Sequence, residues 1–348
     1  MKINYYGFLT PYGGYGIANL SWVKELDNQG IDIYPHSRFT PDQASQEWDI
    51  LEPEMQAILK KPFELQKIGI IETTPSEFGL IQSEIKIANT MAETDEIGPE
   101  WVAACNRMNY LIVPNGFYKG VFKRSGVKVP IRVIPHGVNT ELFKFFDRSS
   151  RRREEYVFGC CGFLNERKGV YELIQAFASE FEPQERVKLK LHSTNPEMGY
   201  YRQLKDPRIE ITTDLWNFEQ VRDFYYDLDC FVFPSKAEGI GYPPREAMST
   251  GLPTILTNYS GLEDVARFGY PLQPLGFEKV NPVREQIGNW AKIDIAQIMR
   301  YMRWMHNNKE TAMINGYRAS QEIQKRYSWK ACTRQLVEFL YEVQRTQH

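Results

Sequence analysis

The chain has 348 residues, 42% of them hydrophobic, and 42 lysines and arginines stand against 44 aspartates and glutamates. Length and apolar content suit two globular domains and exclude a disordered chain. The near balance of charge leaves no electrostatic footprint for nucleic acid and nothing that supports peripheral membrane contact.

The opening "MKINYYGFLTPYGGYG" lacks the apolar segment of a secretory leader, and no run reaches the roughly 18 apolar residues that cross a bilayer; the expectation is cytoplasmic. In chain order, "KINYYGF" reads as a strand, "IANLSWVKELDNQG" as a helix and "IDIY" as a second strand. "IGIIET", "IKIANT", "YLIVPN" and "IRVIPH" continue the strand series, with helices near "PEWVAACNRM" and "NGFYKGVFKRSG". Alternating strands and helices imply a parallel sheet covered on both faces. The charged stretch Lys144 to Glu155 breaks the alternation and reads as a linker. A second series then begins with "YVFGCCGF", the helix "GVYELIQAFASEF", "VKLKLHS", "RIEITT", a helix from about Asn217, "CFVFPS" and "LPTILTN". In the Asn217 helix, Phe218, Val221, Tyr225 and Leu228 fall at helical spacing and are expected to face the core. From Asp294 the pattern is helical almost to the end. The fold class expected is α/β, two doubly wound domains with C-terminal helices: residues 1–148, completed by 328–348, and residues 149–327.

Three stretches carry candidate chemistry. "SKAEGIGYPPREAMSTGLPTI" places Glu238 and Glu246 on either side of a glycine and proline turn, directly after the apolar "CFVF". That is the carboxyl end of a parallel strand, where open α/β sheets bind ligands. The glycines let the backbone approach a ligand, and Pro243 and Pro244 suit the opening of a helix with Glu246 in its first turn. There the helix dipole would keep Glu246 ionised, ready to accept two hydroxyl hydrogens from a sugar diol. "CGFLNERKGVYELIQAF" sets Arg167 and Lys168 at a helix N-terminus, the physical makings of a pyrophosphate site, or else a solvated basic loop. "TPYGGYGIANLSW" is either a tight strand-to-helix turn or a loop whose backbone donors meet a phosphate or sugar.

The five cysteines, Cys105, Cys160, Cys161, Cys230 and Cys332, show no CxxC spacing and read as reduced core residues. No His/Cys cluster has metal-ligand spacing. Asp227 and Asp229 form a D-x-D, but it falls where a helix turns into a strand, and acids are ordinary there. No metal and no cofactor is expected.

Together, the glycine pair near the N-terminus, "IPHGVNTELF", "GFLNERKGVYELIQAF" and "EGIGYPPREAMSTGLPTI" resemble the retaining glycosyltransferases of family 4, with the GT-B fold and an E-x7-E motif. The resemblance is specific over Tyr156 to Asp264, looser over Tyr110 to Phe143, and weak between His36 and Asn89. It implies two Rossmann-like domains facing across a cleft and metal-independent transfer of a hexose from a nucleotide-diphosphate sugar to a sugar or glycoconjugate acceptor. By the same resemblance, Glu246 accepts from the ribose hydroxyls and Glu238 lies against the donor sugar. The backbone of Gly239, Ile240, Gly241 and Tyr242 contacts the sugar and distal phosphate. Lys168 and Arg167 neutralise the diphosphate, and Gly13 and Gly14 close over the donor. Two departures stand out: Phe163 replaces the arginine that often follows the glycine of this segment, and the acceptor-side loop has no histidine. Glu93 and Thr94 are the substitutes on the acceptor side, or alternatively an N-cap region before the helix at Pro99. The alternative is a catalytically silent nucleotide-sugar-binding or scaffold protein with the same fold, against which the presence of Glu238, Glu246 and Lys168 together argues. A nicotinamide dehydrogenase would want GxGxxG and an acid such as Asp32, and the glycine spacing fails.

Overall fold

The computed structural model describes residues 1–36, 46–151, 153–195, 198, 206–280 and 286–346. The chain divides into two compact units: Met1–Gly137 with Pro282–Ile287 and Trp329–His348, and Val138–Asn281 with Gly288–Ser328.

The first unit is built on strands β1 (Lys2–Gly7), β2 (Asp32–His36), β3 (Ile68–Glu72), β4 (Ile85–Asn89), β6 (Tyr110–Val113) and β7 (Ile131–Val133), in the order β2-β1-β3-β4-β6-β7. Every pairing in it is parallel. All five residues of β3 are buried, as a parallel strand covered on both faces requires. One core, with Trp22, Ile70 and Ile87, takes in Leu336, Phe339 and Leu340 of the last helix, Trp329–Arg345. A second forms around Phe78, Trp101, Tyr118 and Phe122 on other elements. A two-residue strand β5 (Glu96–Ile97) pairs antiparallel with β15 (Gln286–Ile287), the short excursion of the chain back into this unit.

The second unit repeats the plan with β8 (Tyr156–Cys161), β9 (Val187–His192), β10 (Ile209–Thr212), β11 (Cys230–Phe233), β12 (Thr254–Thr257) and β13 (Tyr270–Leu272), ordered β10-β9-β8-β11-β12-β13 and parallel throughout. An antiparallel ribbon, β14 (Gly276–Lys279) with β16 (Asn289–Lys292), follows the sheet. The helices Ile295–Asn307 and Lys309–Arg326 come next, the first opened by the Asp294 side chain accepting from Gln297 N–H. The five cysteines are buried.

Several expectations need correction. The charged stretch from Lys144 is no free linker: Arg148 is buried, donating to the carbonyls of Leu228, Tyr225 and Thr250, and the chain crosses between units at Gly137–Val138. Arginine carries five fixed donors, and a ring of carbonyls satisfies them where sequence suggests only solvation. On the helix Phe218–Asp227, Phe218 is exposed; Phe224 and Tyr225 make the buried face, followed by Leu228 at its C-cap. Phe218 is the first residue after the Asn217 cap, and the capping box with Gln220 sets the rotation of that first turn.

Candidate functional site

Strand β11 delivers the candidate site of the second unit. Its four residues are buried, and the chain leaving its carboxyl end turns through Ser235 to Gly241 into the helix Tyr242–Ser249. Gly241 caps that helix at φ 72°, and a Cβ there would stand 2.3 Å from Leu262 Cδ2, so only glycine fits. Gly261 is as constrained: a Cβ would meet Gly239 O at 2.4 Å. Ser260, the one non-glycine residue with positive φ among the described residues, accepts from Glu238 N–H at 2.9 Å. Arg245, buried, donates to Ile240 O and Gly261 O and pairs with Asp264 at 2.7 Å, fixing the turn from behind.

Glu238 is 5% exposed, and its Oε1 gathers three donors. Lys168 Nζ stands at 2.5 Å, Ser235 Oγ at 2.6 Å and Arg167 at 3.2 Å. Burial opposes its charge, yet the Lys168 and Arg167 cations with these hydrogen bonds outweigh that and hold the carboxyl below its usual range. Lys168 and Arg167 arrive on a single 3₁₀ turn, Glu166–Lys168, opened by the Asn165 side chain and closed by Gly169 at φ 66°. Gly169 packs so tightly on Pro234 that a Cβ would stand 2.2 Å from its carbonyl oxygen. Phe163 is 56% exposed beside Gly162.

Glu246 departs from expectation. It is the fifth residue of the helix Tyr242–Ser249, past the first turn where the dipole acts. Burial is the larger influence and pushes its carboxyl up to about 7, against a restraining hydrogen bond from Tyr225 OH at 2.9 Å. The D-x-D acids are engaged elsewhere: Asp227 pairs with Arg153 and Lys190, while Asp229 pairs with Arg151 and Arg153 and accepts from Val157 N–H. Among the described residues no group of three or more His, Cys, Asp or Glu side chains is placed to hold a metal. Among the described residues no helix is long and apolar enough to cross a membrane.

The remaining candidates lie in the first unit. Gly13, at φ 73°, and Gly14 open the helix Gly13–Asn28, both exposed, with nothing within 4 Å of an added Cβ. Thr94 Oγ1 donates to Glu96 O at 2.8 Å. Glu93 is half-buried and, with Glu72, raises the Tyr15 phenol, whose own burial raises it most. Neither caps the helix Pro99–Cys105, whose N-cap is Gly98. Asp32 starts β2 and pairs with Lys61 at 2.9 Å, at the opposite end of the strand from a dinucleotide's ribose. Of the tyrosines near the N-terminus, Tyr5 and Tyr6 are core and Tyr12 is half exposed.

Sequence reading missed a buried polar group at the carboxyl edge of this sheet. Glu72 ends β3 fully buried; Tyr5 OH and Asn89 Nδ2 each donate to its Oε2 at 3.1 Å. Its Oε1 makes no hydrogen bond and stands 3.5 Å from His136 Nε2. Burial pushes this carboxyl up to about 8, the Tyr5 and Asn89 hydrogen bonds holding it down only in part. An acid ending the otherwise apolar "IGIIE" was the available signal. Ser235, Ser260, Tyr225 and Arg245 were also missed as supporting groups.

Residues 155–274 match the family model described as Glycosyl transferases group 1. Over 159 residues the chain is 27% identical to the lipopolysaccharide core biosynthesis mannosyltransferase LpsB of Rhizobium meliloti (strain 1021), a stretch covering 40% of this chain and 44% of that protein. Over 117 residues it is 30% identical to the capsular polysaccharide biosynthesis glycosyltransferase CapM of Staphylococcus aureus, 32% of this chain and 30% of the relative. The chain thus spans less than half the length of these curated relatives. Among solved structures, sucrose-phosphate synthase from Thermosynechococcus elongatus matches with TM-score 0.73 at 15% identity over 99% of this chain and 100% of that one. Anabaena HepE in complex with UDP and glucose matches with TM-score 0.70 at 16% identity over 98% of this chain and 100% of that one. The fold is therefore that of the GT-B glycosyltransferases, two Rossmann-like parallel-sheet domains. Within it, the segment that matches the glycosyl transferases group 1 model lies in the second unit.

Proposed function

We propose that this chain is a retaining glycosyltransferase of family 4, with the E-x7-E motif at Glu238 and Glu246, that moves a hexose from a nucleotide-diphosphate sugar to a hydroxyl of a sugar or glycoconjugate acceptor without a metal. The observation that carries the reading is Glu238, buried yet held ionised by Lys168, Arg167 and Ser235 at the carboxyl end of β11. Building such a cluster takes each partner out of water, and a carboxyl so shifted by specific charge partners marks a functional-site candidate.

In this reading the backbone N–H groups of Gly239, Ile240, Gly241 and Tyr242 approach the sugar and distal phosphate, at a helix start where N–H groups lack intrahelical partners. Lys168 has three donors, so one can stay on Glu238 while another meets the diphosphate, with Arg167 beside it. The bond from sugar C1 to the distal phosphate oxygen breaks, and charge develops on that phosphate where these fixed cations and dipoles already stand. The acceptor hydroxyl attacks C1 on the same face and its proton passes to the departing phosphate oxygen. Glu238 orients the sugar and is not a nucleophile. Glu246 accepts from the ribose hydroxyls, Gly13 and Gly14 supply backbone donors to the donor, and Glu93 and Thr94 serve the acceptor. Metal independence is supported by Asp227 and Asp229, whose carboxylates are engaged by Arg151, Arg153 and Lys190. Name and chemistry of the relatives, mannosyl transfer in LpsB and UDP with glucose bound to HepE, agree with a sugar-nucleotide donor.

The test is incubation with UDP-, GDP- and ADP-hexoses, with and without sugar acceptors, following release of the nucleoside diphosphate and the anomeric proton of the product. Transfer with the donor's anomeric configuration is expected, lost in Glu238→Gln. Binding without turnover of any donor would leave a silent binder, and an inverted product would overturn the same-face step.

A further inference from the structure

Behind Glu246 lies a hydrogen-bond chain with a fixed direction. Cys161, at the end of β8, donates its S–H to Tyr225 OH at 3.3 Å, and Tyr225 OH stands 2.9 Å from Glu246 Oε2. A phenol has one proton, and with the thiol occupying its oxygen that proton is committed to Glu246. Burial raises the Tyr225 phenol well above its ordinary value, and burial likewise raises the Cys161 thiol, so both keep their protons across the physiological range. The ring itself is clamped: Phe143 and Phe231 meet it edge-on with centroids at 5.7 and 5.5 Å, and the Tyr225 carbonyl accepts from buried Arg148 at 2.8 Å.

The other groups near Glu246 leave this contact as its one side-chain hydrogen bond among the described residues. Its neighbour Arg245 turns away to Asp264, Ile240 O and Gly261 O. From the helix Phe218–Asp227 the facing titratable group is Tyr225, and from β8 it is Cys161; among the described residues no cation pairs with Glu246. Glu246 is thus a carboxyl with one oxygen tied and the other unassigned.

Resting on the ribose role proposed above for Glu246, we propose that Tyr225 is a positioning residue for nucleotide binding: its phenol ties Glu246 Oε2 and aims Oε1 at the ribose diol. Without the tie, Glu246 loses both its orientation and the hydrogen bond that opposes burial. Tyr225 never touches the ligand; it acts through Glu246. Nucleotide affinity then follows the Glu246 charge, declining as pH falls through about 7, where burial places this carboxyl.

The experiment measures the dissociation constants of UDP, GDP and ADP by calorimetry from pH 5.5 to 9, carrying forward the tightest, for wild type, Tyr225→Phe, Glu246→Gln and the double variant. Tyr225→Phe is expected to weaken binding about tenfold at pH 7, the worth of one charge-assisted hydrogen bond, and to move the acidic decline to higher pH. In turnover it raises the donor KM more than it lowers kcat. Added to Glu246→Gln it does nothing further, since the group it serves is gone. Cys161→Ala, a gentler change at the head of the same chain, moves the decline in the same direction by less. A Tyr225→Phe profile superimposing on wild type while Glu246→Gln binds poorly overturns the inference and leaves the ribose role standing. Unchanged affinity in Glu246→Gln overturns the ribose role itself, and this inference with it.

Discussion

Replacing Glu72 by Gln should change the pH dependence of stability of the first unit in a direction opposite to that expected for an acid held ionised by cations, such as Glu238. The folded-state carboxyl is raised to about 8 by burial, against the ordinary 4.5 of a glutamate in the unfolded chain. A group whose folded value lies above its unfolded one contributes stability fully below about pH 4.5 and loses it as pH rises through about 8. Each pH unit between about 4.5 and about 8 costs about 1.4 kcal/mol, so the wild type forfeits at most about 5 kcal/mol by pH 9. Relaxation and water entry around a charged Glu72 bring the expected loss to roughly half that. Glutamine has the same shape and stays neutral. Its carbonyl can accept from Tyr5 and Asn89, as Oε2 does now, and its amide can face His136 Nε2, now 3.5 Å from Oε1. Urea unfolding followed by tryptophan fluorescence, with Trp22 beside His136, reads the effect. Glu72→Gln should match wild type at pH 5 and exceed it by about 2 kcal/mol or more at pH 9. An equal difference between the two proteins at both pH values would refute the reasoning, since it would mean that Glu72 takes up no extra proton on folding.

Lys168→Met should lower stability by about 2–3 kcal/mol in urea melts, since it takes the nearest cation from a buried carboxylate, and the loss should shrink at low pH where Glu238 protonates. Gly261→Ala should cost at least about 2 kcal/mol and abolish donor binding, because a Cβ would press on the carbonyls of Glu238 and Gly239 at 2.5 and 2.4 Å; unimpaired binding would show the turn to be pliable. Turnover in excess chelator should persist undiminished, and its complete loss would return Asp227 and Asp229 to consideration as metal ligands.

The frame was legible because parallel strands buried on both faces leave continuous apolar runs: "IGII" and "CFVF" announce β3 and β11 with no tertiary information. Pro243 and Pro244 announced the helix that follows the glutamate turn, and they occupy its first turn. Charge states were not legible. Glu246 reads as an N-terminal acid favoured by a dipole, but one turn of difference moves it out of reach of the dipole and against Tyr225, which stands 21 residues away in sequence. Arg148 reads as part of a solvated linker, yet the carbonyls of Tyr225, Leu228 and Thr250 that accept from it lie 77 to 102 residues downstream. Glu72 ends a strand in plain view, while Tyr5, which makes it a network, is 67 residues distant. Local pattern fixes elements; the partners that tune a side chain belong to the fold.

The most direct test of the account is the position of a bound nucleotide. A crystal structure with UDP, or whichever nucleoside diphosphate binds tightest, should place the ribose hydroxyls within hydrogen-bond distance of Glu246 and the diphosphate against Lys168 and the Gly239–Tyr242 backbone. A nucleotide seated away from Glu246 and Lys168, with both carboxylates of the motif untouched, would contradict it.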